Sequence, residues 1–246
     1  MPAAATSSGS SARRRPQTAR SLGAGAVAAA APPDTGPGDA VKTEDARYAE
    51  RLLALERSGI KRFVDVQRPY RRHLQGLDLG FVLEVGCGVG RNLLHLGPGG
   101  GVGVDHNAHA VEIARARGVE AHTVERFLAS RHARTDAFDA LLLSHVAEHM
   151  QPPQARALLA DYLRFVRPGG RVVLITPQER GFASDATHVH FVDFEESASL
   201  AHDAGLELLS QYSFPLRRPL GRWFRYNEFV TIARKPAGQA SRAASM

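Results

Sequence analysis

Residues 81–92 read FVLEVGCGVGRN, a short apolar run followed by three spaced glycines and a polar start to the next segment. The apolar run is typical of a buried strand, and Gly86 and Gly88 allow a sharp turn with a ligand close to the backbone. Dinucleotide-binding turns begin in the same way, but they place a third glycine where this chain has Arg91. A phosphate-binding P-loop is excluded because no Gly-Lys-Ser or Gly-Lys-Thr follows. The turn therefore predicts a ligand site of another kind at the end of the first strand.

The chain on either side of this turn alternates short apolar runs with amphipathic stretches. The apolar runs predict strands at residues 81–85, 102–104, 140–143 and 172–175, with a terminal run at 229–232. The amphipathic stretches predict helices at residues 92–96, 108–117 and 153–166, the last closed by Pro168-Gly169-Gly170. Two more amphipathic helices are expected ahead of the first strand, within residues 46–76. Parallel strands joined by helices form an open α/β sheet, which binds its ligand at the carboxyl ends of the strands.

Two carboxylates flank the glycine turn in the predicted sheet. Asp105 ends the second predicted strand, where a carboxylate can accept hydrogen bonds from both hydroxyls of a ribose. Glu84 stands two residues before Gly86, where its charge would repel a pyrophosphate and attract sulfonium and ammonium groups. The pair therefore predicts an adenosine-type nucleoside that carries positive charge.

Four segments, in order, resemble the successive motifs of class I S-adenosylmethionine-dependent methyltransferases that act on small molecules. They are EVGCGVG at residues 84–90, the acid Asp105, FDALLLSH at 138–145, and LRFVRPGG at 163–170 followed by a strand at 171–176. The resemblance covers residues 81–234. It implies S-adenosyl-L-methionine as the cofactor and a Rossmann-like α/β fold. That fold is an open, doubly wound sheet of about seven strands, the last antiparallel, with N-terminal cap helices.

The resemblance also assigns residues to parts of the cofactor. The glycine turn would wrap the methionine portion, with Glu84 reaching it through water, and Asp105 would hold the ribose. His106 and Asn107 would border the adenine. Glu125 follows the third strand, where the family often has an acid near the adenine amino group, although residues 124–127 depart from the usual Asp-plus-apolar pattern. The full cofactor-binding set is Glu84, Gly86, Cys87, Gly88, Gly90, Asp105, His106, Asn107, Glu125 and Ser144.

A second motif, H-x-x-E-H at His145, Glu148 and His149, also occurs in one class of zinc peptidases. Those motifs lie on one helix, whereas His145 directly follows a predicted strand, so a peptidase is disfavoured. The stretch resembles the Glu-x-x-Glu-His metal motif of some quinone O-methyltransferases and small-RNA 2′-O-methyltransferases, with a further ligand from His188 or His190. A metal-assisted O-methyltransferase is therefore one alternative. The favoured interpretation assigns no metal and has Glu148 and His149 packing at a helix start.

The acceptor side of the predicted site depends on four side chains. If residues 187–194 are extended, His188 and His190 lie on one side of the chain, facing the acceptor. Tyr70 is expected either to pack among the N-terminal helices or to form part of a lid that touches the substrate. His145 is the candidate general base, because histidine titrates nearest to neutral pH.

The favoured function is transfer of a methyl group from S-adenosyl-L-methionine to a small-molecule acceptor. Two other classes stay open at this point. A nucleotide-dependent oxidoreductase is disfavoured by Glu84 and Arg91. A non-catalytic regulator would keep the glycine turn and Asp105 while lacking a usable acceptor cavity.

Composition limits the partners and the compartment. The chain has 246 residues and a formal net charge of +6, without a long block of like charge, so no nucleic-acid partner is expected. No apolar run is long enough to span a bilayer, and no membrane partner is expected. The lone Cys87 cannot form an internal disulfide, which favours a reducing cytoplasm. The oligomeric state stays open.

The domain limits follow from local composition. Residues 1–45 are mostly Ala, Ser, Gly, Pro and Thr with a few arginines, which predicts a disordered tail. Three consecutive arginines before an Ala- and Gly-rich stretch also resemble a weak export or transit signal. Residues 46–234 are expected to form the methyltransferase domain, including N-terminal helices at 46–76. Residues 235–246 are expected to form a second disordered tail.

Overall fold

The computed structural model describes residues 67–238, and these form one sheet of seven strands. In chain order the strands are β1 Val82–Val85, β2 Gly101–Asp105, β3 Ala121–Thr123, β4 Phe138–Ser144, β5 Val166–Pro177, β6 Glu207–Phe214 and β7 Glu228–Arg234. Their order across the sheet is β3-β2-β1-β4-β5-β7-β6, and among these seven strands of the described chain only β7 runs opposite to the others. The predicted seven-stranded sheet with an antiparallel last strand is confirmed.

Eight helices and one 3-10 turn connect the strands of the described chain. The helices are α1 Arg68–Gly76, α2 Arg91–Leu96, α3 Ala108–Ala116, α4 Val124–Leu128, α5 Pro152–Leu163, α6 Glu179–Phe182, α7 Phe194–Asp203 and α8 Arg218–Gly221. The 3-10 turn is Ala147–His149. None of the helices within residues 67–238 combines the length and the apolar character needed to cross a bilayer.

The core lies on both faces of the central strands. Leu83 and Leu141 point to one face and pack with residues of α4, α5 and α7. Val82 and Leu142 point to the other face, which α1 covers through Leu74. Because both faces are buried, β1 and β4 read as nearly continuous apolar runs rather than as alternating ones. This arrangement explains why these strands were predicted within a residue or two of their observed limits.

The predicted helix over residues 153–166 is wrong at its end. Helix α5 stops at Leu163, and β5 already begins at Val166, before Pro168-Gly169-Gly170. The two glycines belong to a ladder instead of closing a helix: Gly169 N donates to Lys235 O at 2.8 Å, and Lys235 N donates to Gly170 O at 2.9 Å. A side chain at Gly170 would stand 2.8 Å from Asp139 O, so this strand needs glycine where it approaches β4.

Lys235, which the composition placed at the start of a disordered tail, is part of the fold. Only 9% of its surface is exposed, and its Nζ donates to Val166 O at 2.6 Å and to Leu163 O at 3.2 Å. Asp136 Oδ1 also lies 3.2 Å from this ammonium group. A buried ammonium with three acceptors holds the end of β7 against β5, so the folded chain continues through Lys235.

Helix α1 corresponds to the end of the second helix predicted before the sheet. Its Leu74 is buried, as the amphipathic pattern requires. The remaining part of residues 46–76, up to residue 66, lies outside the described residues. So do the predicted tail at 1–45 and residues 239–246 of the tail predicted at 235–246.

Candidate functional site

The turn after β1 brings bare backbone to the carboxyl edge of the sheet. Gly86 and Gly90 have φ values of 75° and 78°, in the left-handed region that glycine adopts without strain. A Cβ on Gly86 would overlap Cγ2 of Val146, which follows β4. Gly90 is the residue from which α2 begins. Gly86 can take no side chain because Val146 fills that space, so the turn packs closely against the residue that follows His145.

Glu84 lies beneath this turn and is almost fully buried, with 1% exposure. Its Oε1 accepts a hydrogen bond from Asn92 Nδ2 at 2.7 Å, whereas its Oε2 has no partner among the described residues. Burial raises the pKa of Glu84 to about 8, against the lowering effect of the Asn92 bond. A cation beside Oε2 would relieve both the unmet hydrogen bond and the cost of burying the charge. These residues therefore fit a cofactor that carries a sulfonium and an ammonium group.

Asp105 ends β2 beside the same turn, as predicted. Its Oδ2 accepts from Gly88 N at 2.7 Å, and its Oδ1 accepts from Asn107 N at 2.8 Å. His106 Nδ1 lies 3.5 Å from Oδ1. A carboxylate oxygen can accept two hydrogen bonds, so each oxygen keeps one acceptor position for a ribose hydroxyl. The backbone thus fixes the direction of the carboxylate before any ligand arrives.

The other predicted cofactor residues take different places around this turn. Asn107 uses its side-chain oxygen to cap α3, accepting from Ala110 N at 3.1 Å. Cys87 is buried, and a Cβ on Gly103 would lie 2.6 Å from its Sγ, so the thiol faces β2 and the core. Only the backbone of Cys87 faces the turn, and burial raises the pKa of its thiol well above the usual value.

Glu125 and Ser144 lie at the ends of two strands next to the turn. Thr123 is paired with Asp105 in the β2–β3 ladder, so α4, which holds the exposed Glu125 in its first turn, begins beside Asp105. Ser144 is buried at the last position of β4, directly before His145. Both positions agree with the predicted binding edge, and whether these side chains touch the cofactor stays a prediction.

His145 forms the centre of an ion-paired cluster next to the turn. Its Nδ1 lies 3.2 Å from Glu148 Oε1, and its Nε2 lies 3.0 Å from Glu228 Oε1. Burial alone would lower the pKa of His145, but the two carboxylates outweigh burial and raise this pKa to about 9. At neutral pH the ring is therefore a cation that donates one hydrogen bond to each acid. The backbone of His145 also has a positive φ of 58°, which is rare outside glycine and tends to occur at functional sites.

Sequence reasoning missed two residues of this cluster, Glu228 and Gln178. Glu228 is the first residue of β7 and reaches His145 only because β7 lies beside β5. Gln178 is fully buried, and its Nε2 donates to Glu228 O at 3.1 Å and to Ser213 Oγ at 2.7 Å. No local pattern marks either residue, because their contacts join segments far apart in the chain.

A second cluster joins Glu148, His149 and His188. Their ligand atoms all lie within 4.8 Å of one another, and Glu148 Oε2 is buried without a hydrogen-bond partner among the described residues. His149 Nδ1 lies 3.2 Å from Thr187 O, and His188 Nδ1 lies 2.8 Å from Phe182 O. A carbonyl oxygen only accepts, so each ring donates from its Nδ1–H, as metal-binding histidines that ligate through Nε2 usually do. Burial lowers the pKa of His149, so its ring is neutral, as a ligand must be.

The expected pairing of His188 and His190 does not form. Residues 187–193 are irregular rather than extended, and His190 Nε2 lies 3.4 Å from Glu196 while His188 points to Glu148. Tyr70 donates from its hydroxyl to Tyr226 O at 2.7 Å, and it therefore joins α1 to the connection between β6 and β7. Burial raises the pKa of Tyr70. Contact of His188, His190 and Tyr70 with an acceptor stays a prediction.

Comparison with known proteins supports one family. A family model described as a methyltransferase domain matches residues 48–211 of this chain. A search of curated proteins found no match. Among solved structures, a methyltransferase from Haloferax volcanii in complex with the Trm112 activator has a TM-score of 0.58 at 18% identity, covering 80% of this chain and 100% of that one. Magnesium protoporphyrin IX methyltransferase from Synechocystis, with bound S-adenosylhomocysteine, has a TM-score of 0.56 at 15% identity, covering 78% and 96%.

A third structure comes from a study of the conversion of a disulfide bond into a thioacetal group during echinomycin biosynthesis. Its TM-score is 0.53 at 22% identity, covering 70% of this chain and 83% of that one. At these identities the structures establish the fold alone, whereas the family model spans two thirds of the sequence, including the glycine turn and Asp105. The chain therefore belongs to the methyltransferase-domain family, as a class I methyltransferase whose cofactor is S-adenosyl-L-methionine.

Proposed function

We propose that this methyltransferase transfers a methyl group to a small-molecule acceptor, bound between the glycine turn and the His145–Glu228 pair. One observation carries the proposal: a buried carboxylate, Glu84, has an unpartnered oxygen two residues before a glycine turn in which Gly86 has no room for a side chain. A small acceptor is favoured because the described chain is a single sheet with its helices, without an added recognition domain.

S-adenosyl-L-methionine supplies an electrophilic methyl group on a sulfonium whose departure leaves a neutral thioether. The chain then has to hold the acceptor in line with that methyl group and exclude water. Asp105, oriented by Gly88 N and Asn107 N, would bind the ribose hydroxyls, and Glu84 would balance the positive charge.

The cofactor part of this proposal is tested by calorimetric titration with S-adenosyl-L-methionine and with S-adenosylhomocysteine. We expect Asp105→Ala to weaken binding of both at least tenfold, because two charge-assisted hydrogen bonds are lost. Asp139→Ala is the matched control: Asp139 also accepts from a backbone amide, Phe81 N at 2.8 Å, but at the opposite end of the strands. Equal affinities of the two variants would contradict the proposed ribose site.

His145 is proposed to act on the acceptor side. Because its pKa is about 9 and both ring nitrogens are bonded, it is a cation at neutral pH, and it becomes a base only after losing a proton and one carboxylate partner. Below a pH of about 9, the protonated ring of His145 would instead hold an anionic or polarised acceptor oxygen near the methyl group.

The acceptor is sought by incubating the protein with the cofactor and separate panels of phenols, carboxylic acids, amines and thiols, followed by mass spectrometry. We expect a methylated product from an oxygen acceptor in the wild type and a strongly reduced turnover rate in His145→Asn. If His145→Asn does not change the rate of product formation at saturating acceptor, His145 takes no part in the reaction.

A second candidate function, metal-assisted methyl transfer, is favoured by the arrangement of Glu148, His149 and His188. Two histidines and a carboxylate suit Zn²⁺ or another first-row divalent ion, which would act as a Lewis acid on an acceptor hydroxyl. His145 competes for the same carboxylate, because Glu148 Oε1 is already its partner. The two candidate functions therefore differ in the cation that neutralises the Glu148 carboxylate. It is protonated His145 in the first and a metal ion in the second.

The metal candidate is tested by titrating the metal-free protein with Zn²⁺ and Co²⁺ and following binding by calorimetry and visible absorption. The described chain offers a matched control, because Glu120, His122 and His132 form another possible ligand group beside β3. If the site is real, His188→Ala removes one tight binding event that His132→Ala leaves in place. Identical titrations of the two variants would reject it.

A further inference from the structure

The connection between β6 and β7 exposes a cluster of large apolar side chains. Nine large apolar residues of the described chain are exposed, and five of them lie between residues 216 and 226. We call residues 216–226 the aromatic lip. Its exposed apolar members are Leu216, Leu220, Trp223, Phe224 and Tyr226, with Trp223 71% exposed and Leu220 68% exposed. Phe224 and Tyr226 also contact each other, with ring centroids 5.8 Å apart. Soluble proteins rarely leave large apolar patches in water unless the patch meets a partner.

A buried hydrogen-bond network around Asn227 fixes the backbone of the aromatic lip. Asn227 is fully buried, its Oδ1 accepts from Leu216 N at 2.8 Å, and its Nδ2 donates to Leu216 O at 3.1 Å and to Ser213 Oγ at 2.7 Å. A Cβ on Gly221 would overlap the Asn227 amide, so the lip closes tightly over that residue. The backbone is therefore ordered before any partner binds, and little conformational entropy remains to be lost on binding.

Charge in this segment has one sign. Residues 215–227 include four arginines and no acidic residue. Arg218 pairs with Glu179, with one N–O distance of 3.0 Å. Arg217, Arg222 and Arg225 have no carboxylate within ion-pair distance among residues 67–238. Three arginines without a carboxylate at ion-pair distance thus alternate along the chain with the exposed apolar side chains, and Arg222 is close enough to Glu179 to help lower the pKa of that carboxyl.

We propose that the aromatic lip docks on an anionic phospholipid surface. Arginine guanidinium groups bind lipid phosphates, aromatic rings favour the headgroup level, and Leu216 and Leu220 would reach the acyl boundary. The two leucines favour lipid over single-stranded nucleic acid, because aliphatic side chains offer no surface on which bases stack. This proposal departs from the expectation of no membrane partner, which considered only runs long enough to span a bilayer. A surface contact needs no such run, and no helix within residues 67–238 is long and apolar enough to cross a membrane.

The position of the lip links docking to the site. Tyr226 O accepts the Tyr70 hydroxyl bond, and two residues later Glu228 bonds His145. Docking would therefore bring the acceptor side of the site to the membrane surface, where an amphipathic acceptor would be concentrated. The lipid proposal does not depend on the proposed methyl transfer, because lipid binding is measured without turnover.

The test uses Trp223, which is the single tryptophan of the chain. The full-length protein is mixed with vesicles of phosphatidylcholine alone, or of phosphatidylcholine with phosphatidylglycerol, and its fluorescence and co-sedimentation are recorded. We expect a blue shift and pelleting only with phosphatidylglycerol, both weakened by salt. The triple variant R217Q/R222Q/R225Q should lower the partition coefficient about 100-fold, from roughly fivefold per arginine near an anionic surface.

Two further variants separate docking from a general effect of charge or misfolding. R115Q/R131Q/R134Q removes three exposed arginines between residues 115 and 134, outside the lip, and should bind vesicles like the wild type. Leu220→Ser keeps the charge and the tryptophan and should reduce the blue shift. All variants should keep the wild-type affinity for S-adenosyl-L-methionine, which shows that they are folded.

Several results would overturn the proposal. An unchanged Trp223 spectrum with phosphatidylglycerol vesicles would do so, and so would equal vesicle binding by the two triple arginine variants. Tighter binding of a single-stranded RNA oligonucleotide than of vesicles would assign the lip to nucleic acid. A blue-shifted Trp223 in the protein alone would show that the lip is already covered, by a second copy if the shift disappears on dilution and by the same chain if it persists.

Discussion

Binding of S-adenosyl-L-methionine at neutral pH should release a proton from Glu84. The carboxyl is buried, and burial raises its pKa to about 8, so about 0.9 of the molecules carry this proton at pH 7 without ligand. A sulfonium and an ammonium group beside Oε2 favour the ionised form. A neighbouring cation typically lowers a carboxyl pKa by one to three units, and a shift of about two units would place the pKa of Glu84 near 6.

The expected size of the effect follows from these two values. At pH 7 a group with a pKa near 6 is about 0.1 protonated, so binding should release about 0.8 proton per cofactor. The fall in the pKa of Glu84 on binding also determines how affinity depends on pH. Because ionised Glu84 is the form that binds the cofactor, the association constant should rise between about pH 6 and 8. The cofactor has an amino group that titrates near the upper end of this range, but it does so with any variant of the protein.

The assay is calorimetric titration at pH 7 in buffers of different ionisation enthalpy, which reports the protons exchanged. Glu84→Gln keeps the shape and the Asn92 contact but has no proton to lose. We expect about 0.8 more proton released by the wild type than by Glu84→Gln. Equal proton release by both proteins, with binding intact, would refute the argument that a buried neutral carboxyl becomes charged when the cofactor binds.

Three other predictions concern the turn, the cluster and the end of the sheet. Gly86→Ala should lower the free energy of unfolding by at least about 1 kcal/mol in urea titrations, because φ is 75° and the new Cβ overlaps Val146; a loss below a few tenths would show that the turn yields freely. If His145 accepts the acceptor proton, kcat should rise with pH through about 9, and His145→Asn should remove that rise; its raised pKa also contributes stability below about pH 6.5 that is lost as pH rises through about 9. Lys235→Met should lower the free energy of unfolding by roughly 1–3 kcal/mol, because carbonyls such as Val166 O lose a charged donor; an unchanged urea midpoint would place Lys235 in the tail after all.

The sequence was most informative where structure is local. A strand buried on both faces needs apolar residues in succession, so the strand at Val82–Val85 could be located from its apolar run in the sequence. The turn after it needs glycine for its positive φ values, and Asp105 ends the neighbouring strand, so both could be located by position. For Glu84, the position was predictable, but its unpartnered oxygen became visible only when the surrounding packing was known.

Errors arose where a residue's conformation depends on a distant partner. Pro168-Gly169-Gly170 looks like a helix end, yet its backbone pairs with Lys235, more than sixty residues later. The placement of His188 and His190 on one side held only if residues 187–194 were extended, but Val189 N and His190 N both donate to Glu148 O, and the segment follows an irregular path. In both places the local pattern fits two conformations equally well, and a tertiary contact selects one of them.

The direction of β7 explains why the acid that pairs with His145 could not be anticipated. Parallel strands bring their last residues to the binding edge, and a search for site residues therefore looks at strand ends, where Asp105 and Ser144 lie. Strand β7 runs the opposite way, with Glu228 paired to Pro177 at the end of β5, so it brings its first residue to the same edge. His145 N donates to Ile175 O at 2.8 Å and places its ring beside that position. In a sheet of this topology, an acid at the start of the antiparallel strand should therefore be considered together with the ends of the parallel strands.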